Sequence, residues 1–115
     1  MKNLGFSKTF LVKGNVSRTF DLAKKYVSGM RFKIVNDLKP KQLVLVRGSA
    51  LGLLVSKRVE DLRTTLTISF SQKGENVTVS CNYDILGYGG IFNTSGKSDL
   101  EDEVERLRRF LESAL

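Results

Sequence analysis

Arg63-Thr64-Thr65-Leu66-Thr67-Ile68-Ser69-Phe70-Ser71-Gln72-Lys73-Gly74-Glu75-Asn76-Val77-Thr78-Val79-Ser80-Cys81-Asn82-Tyr83-Asp84 is the stretch whose reading decides the fold. Two runs alternate apolar and polar around the turn Gln72-Lys73-Gly74-Glu75. Leu66, Ile68 and Phe70 answer Val77, Val79, Cys81 and Tyr83 on one face, and Thr65, Thr67, Ser69 and Ser71 answer Thr78, Ser80 and Asn82 on the other. A side-chain period of two makes this a half-buried antiparallel hairpin, and its apolar face needs a cover. The C-terminal segment supplies one. Leu100, Val104, Leu107 and Leu111 recur at helical spacing with Phe110 beside them, an apolar stripe suited to lie across a sheet.

Working outward, Gly5 to Val12 reads as a first strand, with Phe6, Phe10 and Val12 on one face and Lys8 interrupting it. Asn15 or Ser17 caps the following helix. Val16, Phe20, Ala23 and Val27 form the buried stripe of that helix, with Leu22 and Tyr26 widening it, and Gly29 is expected to end it at positive φ. Arg31 to Asn36 and Gln42 to Arg47 flank a proline turn at Asp37 to Lys41, giving a second hairpin. Two further short strands are expected, Leu53 to Ser56 and Tyr88 to Asn93. Ser98-Asp99-Leu100-Glu101 matches a capping box that opens the last helix, and Asp102–Arg106 and Glu105–Arg109 add ion pairs one turn apart.

A chain of 115 residues with no linker, repeat or low-complexity tract is one α+β domain, residues 1–115. The expected architecture is a curved antiparallel sheet of five to seven strands in strand-helix-strands-helix order, with the C-terminal helix packed across it. The longest apolar run, Ala50 to Val55 around Gly52, is far too short for a membrane span, and Ser7, Lys8, Thr9 and Lys13 break up the only apolar N-terminal stretch. The lone Cys81 sits on an inward strand position and cannot form a disulfide within the chain, which fits a reducing, cytoplasmic setting.

Most enzyme classes lose their residues here. The chain has no histidine, which removes the commonest general base and metal ligand together. One cysteine makes neither a thiolate zinc site nor a redox pair. Glu101, Asp102, Glu103 and Glu105 occupy the opening turns of a helix, where acidic residues answer the macrodipole, so they read as helix chemistry rather than a metal site. Gly90 to Ser98 ends in Gly-Lys-Ser but has five residues between its glycines instead of the four a phosphate loop needs. A non-enzymatic domain without a cofactor is the expectation.

Charge is uneven: the chain carries +7 in all, with +9 over residues 1–48 and −2 over residues 97–115. Lys24, Lys25, Arg31, Lys33, Lys39, Lys41 and Arg47 lie on elements adjacent in sequence and form a candidate surface for nucleic acid. Against it, the polar sheet face of Thr65, Thr67, Thr78 and Ser80 lacks aromatic groups for stacking on bases. Aromatic residues are plentiful on the inward side instead, and Phe70, Tyr83, Tyr88 and Phe92 are the candidate lining of a small apolar pocket between sheet and helix. Self-association through an exposed sheet edge, a homodimer, is a third reading.

The order of elements, with Arg47-Gly48-Ser49 following a strand and an amphipathic helix from Ser98 to Leu115, resembles a minimal START-like helix-grip domain, the superfamily of pollen-allergen-like and polyketide-cyclase-like proteins. It also resembles one half of a TATA-binding-protein-like fold. The first resemblance implies binding of a small apolar or amphipathic ligand held between sheet and C-terminal helix; neither transfers an individual functional residue.

Overall fold

The computed structural model describes residues 4–48, 63–85 and 94–115. Five strands and two helices follow one another as β1 (Leu4–Lys13), α1 (Val16–Ser28), β2 (Lys33–Leu38), β3 (Gln42–Arg47), β4 (Thr64–Lys73), β5 (Asn76–Ile85) and α2 (Thr94–Ala114). The strands form one antiparallel sheet in the order β1-β5-β4-β3-β2, so the first strand closes beside the last. The expected short strands Leu53 to Ser56 and Tyr88 to Asn93 lie outside the described residues.

The central hairpin has the register its alternation requires. Leu66 faces Tyr83, Ile68 faces Cys81 and Phe70 faces Val79, while Thr67 pairs with Asn82 and Ser69 with Ser80 on the other side. The ladder runs to Lys73 opposite Asn76, leaving a two-residue turn in which Gly74 takes φ 59°, a left-handed geometry that a side chain would strain. Gln72 then ties this turn to the rest of the molecule. Its amide nitrogen donates to the carbonyls of Gly14, Gly74 and Asn76 at 2.9–3.1 Å, and its oxygen accepts from the Val16 N–H at 2.8 Å.

That last bond caps α1 from a different element, alongside the cap from Asn15, whose side chain accepts from Ser17 N–H and Arg18 N–H. Phe20, Ala23 and Val27 are fully buried, with Val16, Leu22 and Tyr26 at the margins of the stripe. The helix ends at Gly29 as its sequence suggests, but Gly29 adopts φ −85° and the left-handed residue is Arg31, at φ 68°. The expected placement of the positive φ is therefore off by two residues: Gly29 N–H still reaches the Tyr26 carbonyl in an unreversed turn, and the chain turns back only at Arg31 to enter β2.

α2 covers the sheet with the stripe anticipated for it: Leu100, Val104, Leu107 and Leu111 are all buried. It begins at Thr94, one turn ahead of the capping box, so Ser98 lies within the helix instead of at its boundary. Tyr26 and Phe110 stack at 4.8 Å where the two helices meet. Both helices share the inner face with Val12 of β1, Leu43 and Leu45 of β3, and the apolar residues of β4 and β5, making one continuous core. At the sheet margins β1 exposes Leu11, and β2 carries a bulge at Val35 that leaves this residue 54% exposed.

Candidate functional site

Along β3, Leu43, Leu45 and Arg47 occupy successive inward positions. The first two are apolar core and the third is a guanidinium, only 5% exposed. Arg47 pairs in register with Thr64 of β4, which is fully buried. Facing it from α2 is Glu103, three residues after Leu100 and four before Leu107, hence on the buried side of the helix. Arg47 Nη1 donates to Glu103 Oε2 at 2.8 Å, and the Tyr83 hydroxyl of β5 donates to the other oxygen at 3.0 Å. The carboxylate thus joins two strands of the sheet to the helix above them.

The surroundings are apolar. Phe32 places its ring 4.4 Å from the guanidinium carbon of Arg47, a cation–π contact, and Phe6 leans on Tyr83 with ring centres 5.9 Å apart. Burial, reinforced by the neighbouring Glu103 charge, pushes the Tyr83 phenol far above its ordinary range, so it serves as a donor and not as a base. The same two causes, in the same order, push the Cys81 thiol up to about 12, which removes it as a nucleophile near neutral pH.

A buried ion pair is a weak stabiliser, because desolvation of both charges offsets most of their attraction and a well-packed apolar pair often does as well or better. Here the pair is also incomplete. Arg47 Nε and Nη2 are buried and find no acceptor among the described residues. Leaving such donors unmatched costs on the order of 1–3 kcal/mol each. The arrangement is therefore expensive, and core stability does not account for it.

Arg47 also borders open space on two sides. A cleft of about 470 Å³ lies between the end of α1, β3 and α2, lined by Gly29, Met30, Arg31, Arg47, Asp99, Glu103 and Arg106. A second groove of about 440 Å³, bounded by Arg31, Lys33, Val35, Val46, Arg47, Gly48 and Arg63, runs along the β2–β3 margin.

The sequence-derived candidates distribute unevenly around this site. Tyr83 belongs to it through Glu103. Phe70 lies four residues along the strand from Leu66, the Tyr83 partner, or about 13 Å at strand rise. It packs edge-on against Phe20 beneath α1, 5.3 Å between ring centres. Tyr88 and Phe92 lie outside the described residues. Of the seven basic residues grouped as a nucleic-acid surface, Lys24 pairs with Asp37 at 2.6 Å, Lys39 with Asp21 at 2.9 Å, and Arg47 is drawn into the core by Glu103. Lys25, Arg31, Lys33 and Lys41 are exposed. The surface anticipated from net charge is partly neutralised by its own acids, which lie at Asp21 and Asp37 within the same basic half of the chain.

Sequence reasoning missed Glu103 and misplaced Arg47. Both carried a signal: Arg47 continues the inward alternation of Leu43 and Leu45, and Glu103 sits within the Leu100–Leu107 stripe. Each was assigned by its charge, to a basic surface and to the helix dipole respectively, when its position in the pattern said inward.

No family model matches the chain, and no curated protein matches its sequence. Its backbone is similar to solved structures. CalU16 from Micromonospora echinospora superposes with a TM-score of 0.65 at 8% identity, over 93% of this chain and 73% of that one. Ara h 8.0201 superposes with a TM-score of 0.63 at 6% identity, over 97% of both chains. The fold is the helix-grip fold, an antiparallel sheet with a C-terminal helix laid across it.

Proposed function

We propose that this domain binds a small amphipathic molecule at the sheet–helix junction beside Arg47, Glu103 and Tyr83, and that it does so without chemical turnover. The observation that carries the reading is a hydrogen-bonded cluster in which the buried Arg47 and Tyr83 meet the partly buried Glu103, with Arg47 and Glu103 lining a cleft of about 470 Å³. Sites of this kind are apolar surfaces with a few placed polar groups that orient the ligand. In this cleft Met30 is the apolar contact beside the charged Arg31, Arg47, Asp99, Glu103 and Arg106, and Phe32 packs against the Arg47 guanidinium.

The absence of turnover rests on chemistry. The sequence has no histidine, burial holds the Cys81 thiol protonated, and the Tyr83 phenol donates to Glu103, so neither the thiol nor the phenol takes a proton near neutral pH. Native mass spectrometry of the freshly purified protein tests the binding reading directly: a small-molecule adduct that survives gentle desolvation is expected. Absence of any adduct, together with failure of long-chain alcohols and acids to bind, removes it.

A further inference from the structure

We propose that the ligand carries an oxyanion, a carboxylate or a phosphate monoester, and that Arg47 receives it through Nε and Nη2; this rests on the binding reading above and names the chemical class it selects. The argument begins with which nitrogens are occupied. Glu103 takes Nη1 alone, while the two nitrogens without an acceptor among the described residues are Nε and Nη2. Those two N–H groups point in parallel along one side of the planar guanidinium. They form the fork that accepts both oxygens of a carboxylate or phosphate at once.

Phe32 covers a face of the guanidinium at 4.4 Å, so approach to the nitrogens runs in the plane of the group, the direction that bidentate pairing needs. Both nitrogens are closed off from water. The electrostatics favour an anion. Arg47 borders both the cleft and the groove, and Arg31, Lys33, Arg63 and Arg106 stand around them against Asp99 and Glu103. Glu103 already neutralises one charge of Arg47, and the remaining excess is positive.

The balance of charge around the cleft and the groove favours an anion over a neutral or cationic headgroup. A neutral alcohol offers one acceptor to a two-donor fork, and an ammonium meets five cations. An anion supplies the missing acceptors and reduces the local charge in the same step.

Calorimetric titration with dodecanoate, dodecyl phosphate and dodecan-1-ol separates the possibilities, because the three share one chain and differ in headgroup. Either oxyanion is expected to bind at least about tenfold more tightly than the alcohol, the advantage of two charge-assisted hydrogen bonds. Whichever of the two binds better identifies the headgroup. Arg47→Lys keeps the charge opposite Glu103 but removes the fork, and it should abolish the oxyanion advantage, bringing the affinities for acid and alcohol together. In the wild-type protein, the Arg47 Nε–H resonance in a proton–nitrogen correlation spectrum should shift with dodecanoate and stay fixed with the alcohol. Equal affinity for acid and alcohol overturns the oxyanion assignment while the binding reading stands. An oxyanion preference that persists in Arg47→Lys places the anion on other cations and overturns the role of Arg47. Binding of none of the three overturns both.

Discussion

At the turn end of the sheet, where β4 meets β5, each polar group of Gln72 has a partner and the space beneath is filled by Phe20 against Phe70. At the opposite end, where β3 finishes, Arg47 is buried with two donors that find no acceptor among the described residues, and a cleft opens beside it. The same sheet and the same two helices span both ends, so the difference comes from side-chain choice at a few inward positions. An apolar residue at position 47 would have completed the core as Leu43 and Leu45 do. The contrast separates a part of the molecule built for stability from a part whose cost needs another explanation, and the explanation we propose is ligand recognition.

Variants break or sharpen this contrast in order of size. Phe20→Ala should cost about 3–5 kcal/mol, the sum of lost burial and an unfilled cavity, read as a lower denaturant midpoint with unchanged slope. The headgroup selectivity at the far end should survive it, since distant sites add independently. Glu103→Gln should cost roughly 3 kcal/mol, the low end for breaking a buried pair, because the amide still offers an oxygen while Arg47 loses its counter-charge. A stabilised Glu103→Gln protein would mean that the buried Arg47 does not depend on its counter-charge.

Gln72→Ala tests the other side, with an expected loss of about 1–2 kcal/mol as four hydrogen bonds pass to solvent and no change in ligand binding. The smallest effect belongs to the exposed Lys24–Asp37 pair, which lies at neither end. The hydrogen bond from Lys24 holds the Asp37 carboxyl below its ordinary value of 3.8. A folded value below the unfolded one gives a contribution that is present above pH 3.8 and is lost as pH falls through the folded value. Thermal melts of wild type and Lys24→Met should accordingly differ near neutral pH and converge in acid. A gap that widens on acidification contradicts the sign.

Much of the fold was legible because local periodicity and the core agree. The alternation from Leu66 to Tyr83 places each residue on the face the structure gives it, and the Leu100–Leu111 stripe is buried as its spacing demands. The site was less legible. Arg47 and Glu103 are separated by 56 positions, so neither reveals the other along the chain, and each looks like an ordinary surface charge alone. Tyr83 was recognised as inward by alternation, but its role depends on the carboxylate it meets. Phe70 shares the inward face with Tyr83 yet serves the filled end, since strand rise carries it away from the cleft.

What the amino-acid sequence determined by itself was the strands and helices of the described residues and which side of each faces inward, because side-chain period is a local property of strand and helix geometry. Tertiary structure alone decided that β1 closes beside β5 and that Arg47, Glu103 and Tyr83 meet. Those are contacts between distant segments. Whether two buried charges neutralise each other, and which of their hydrogen-bonding groups remain for a ligand, depends on distances of a few ångström that exist only after the sheet and helix have packed.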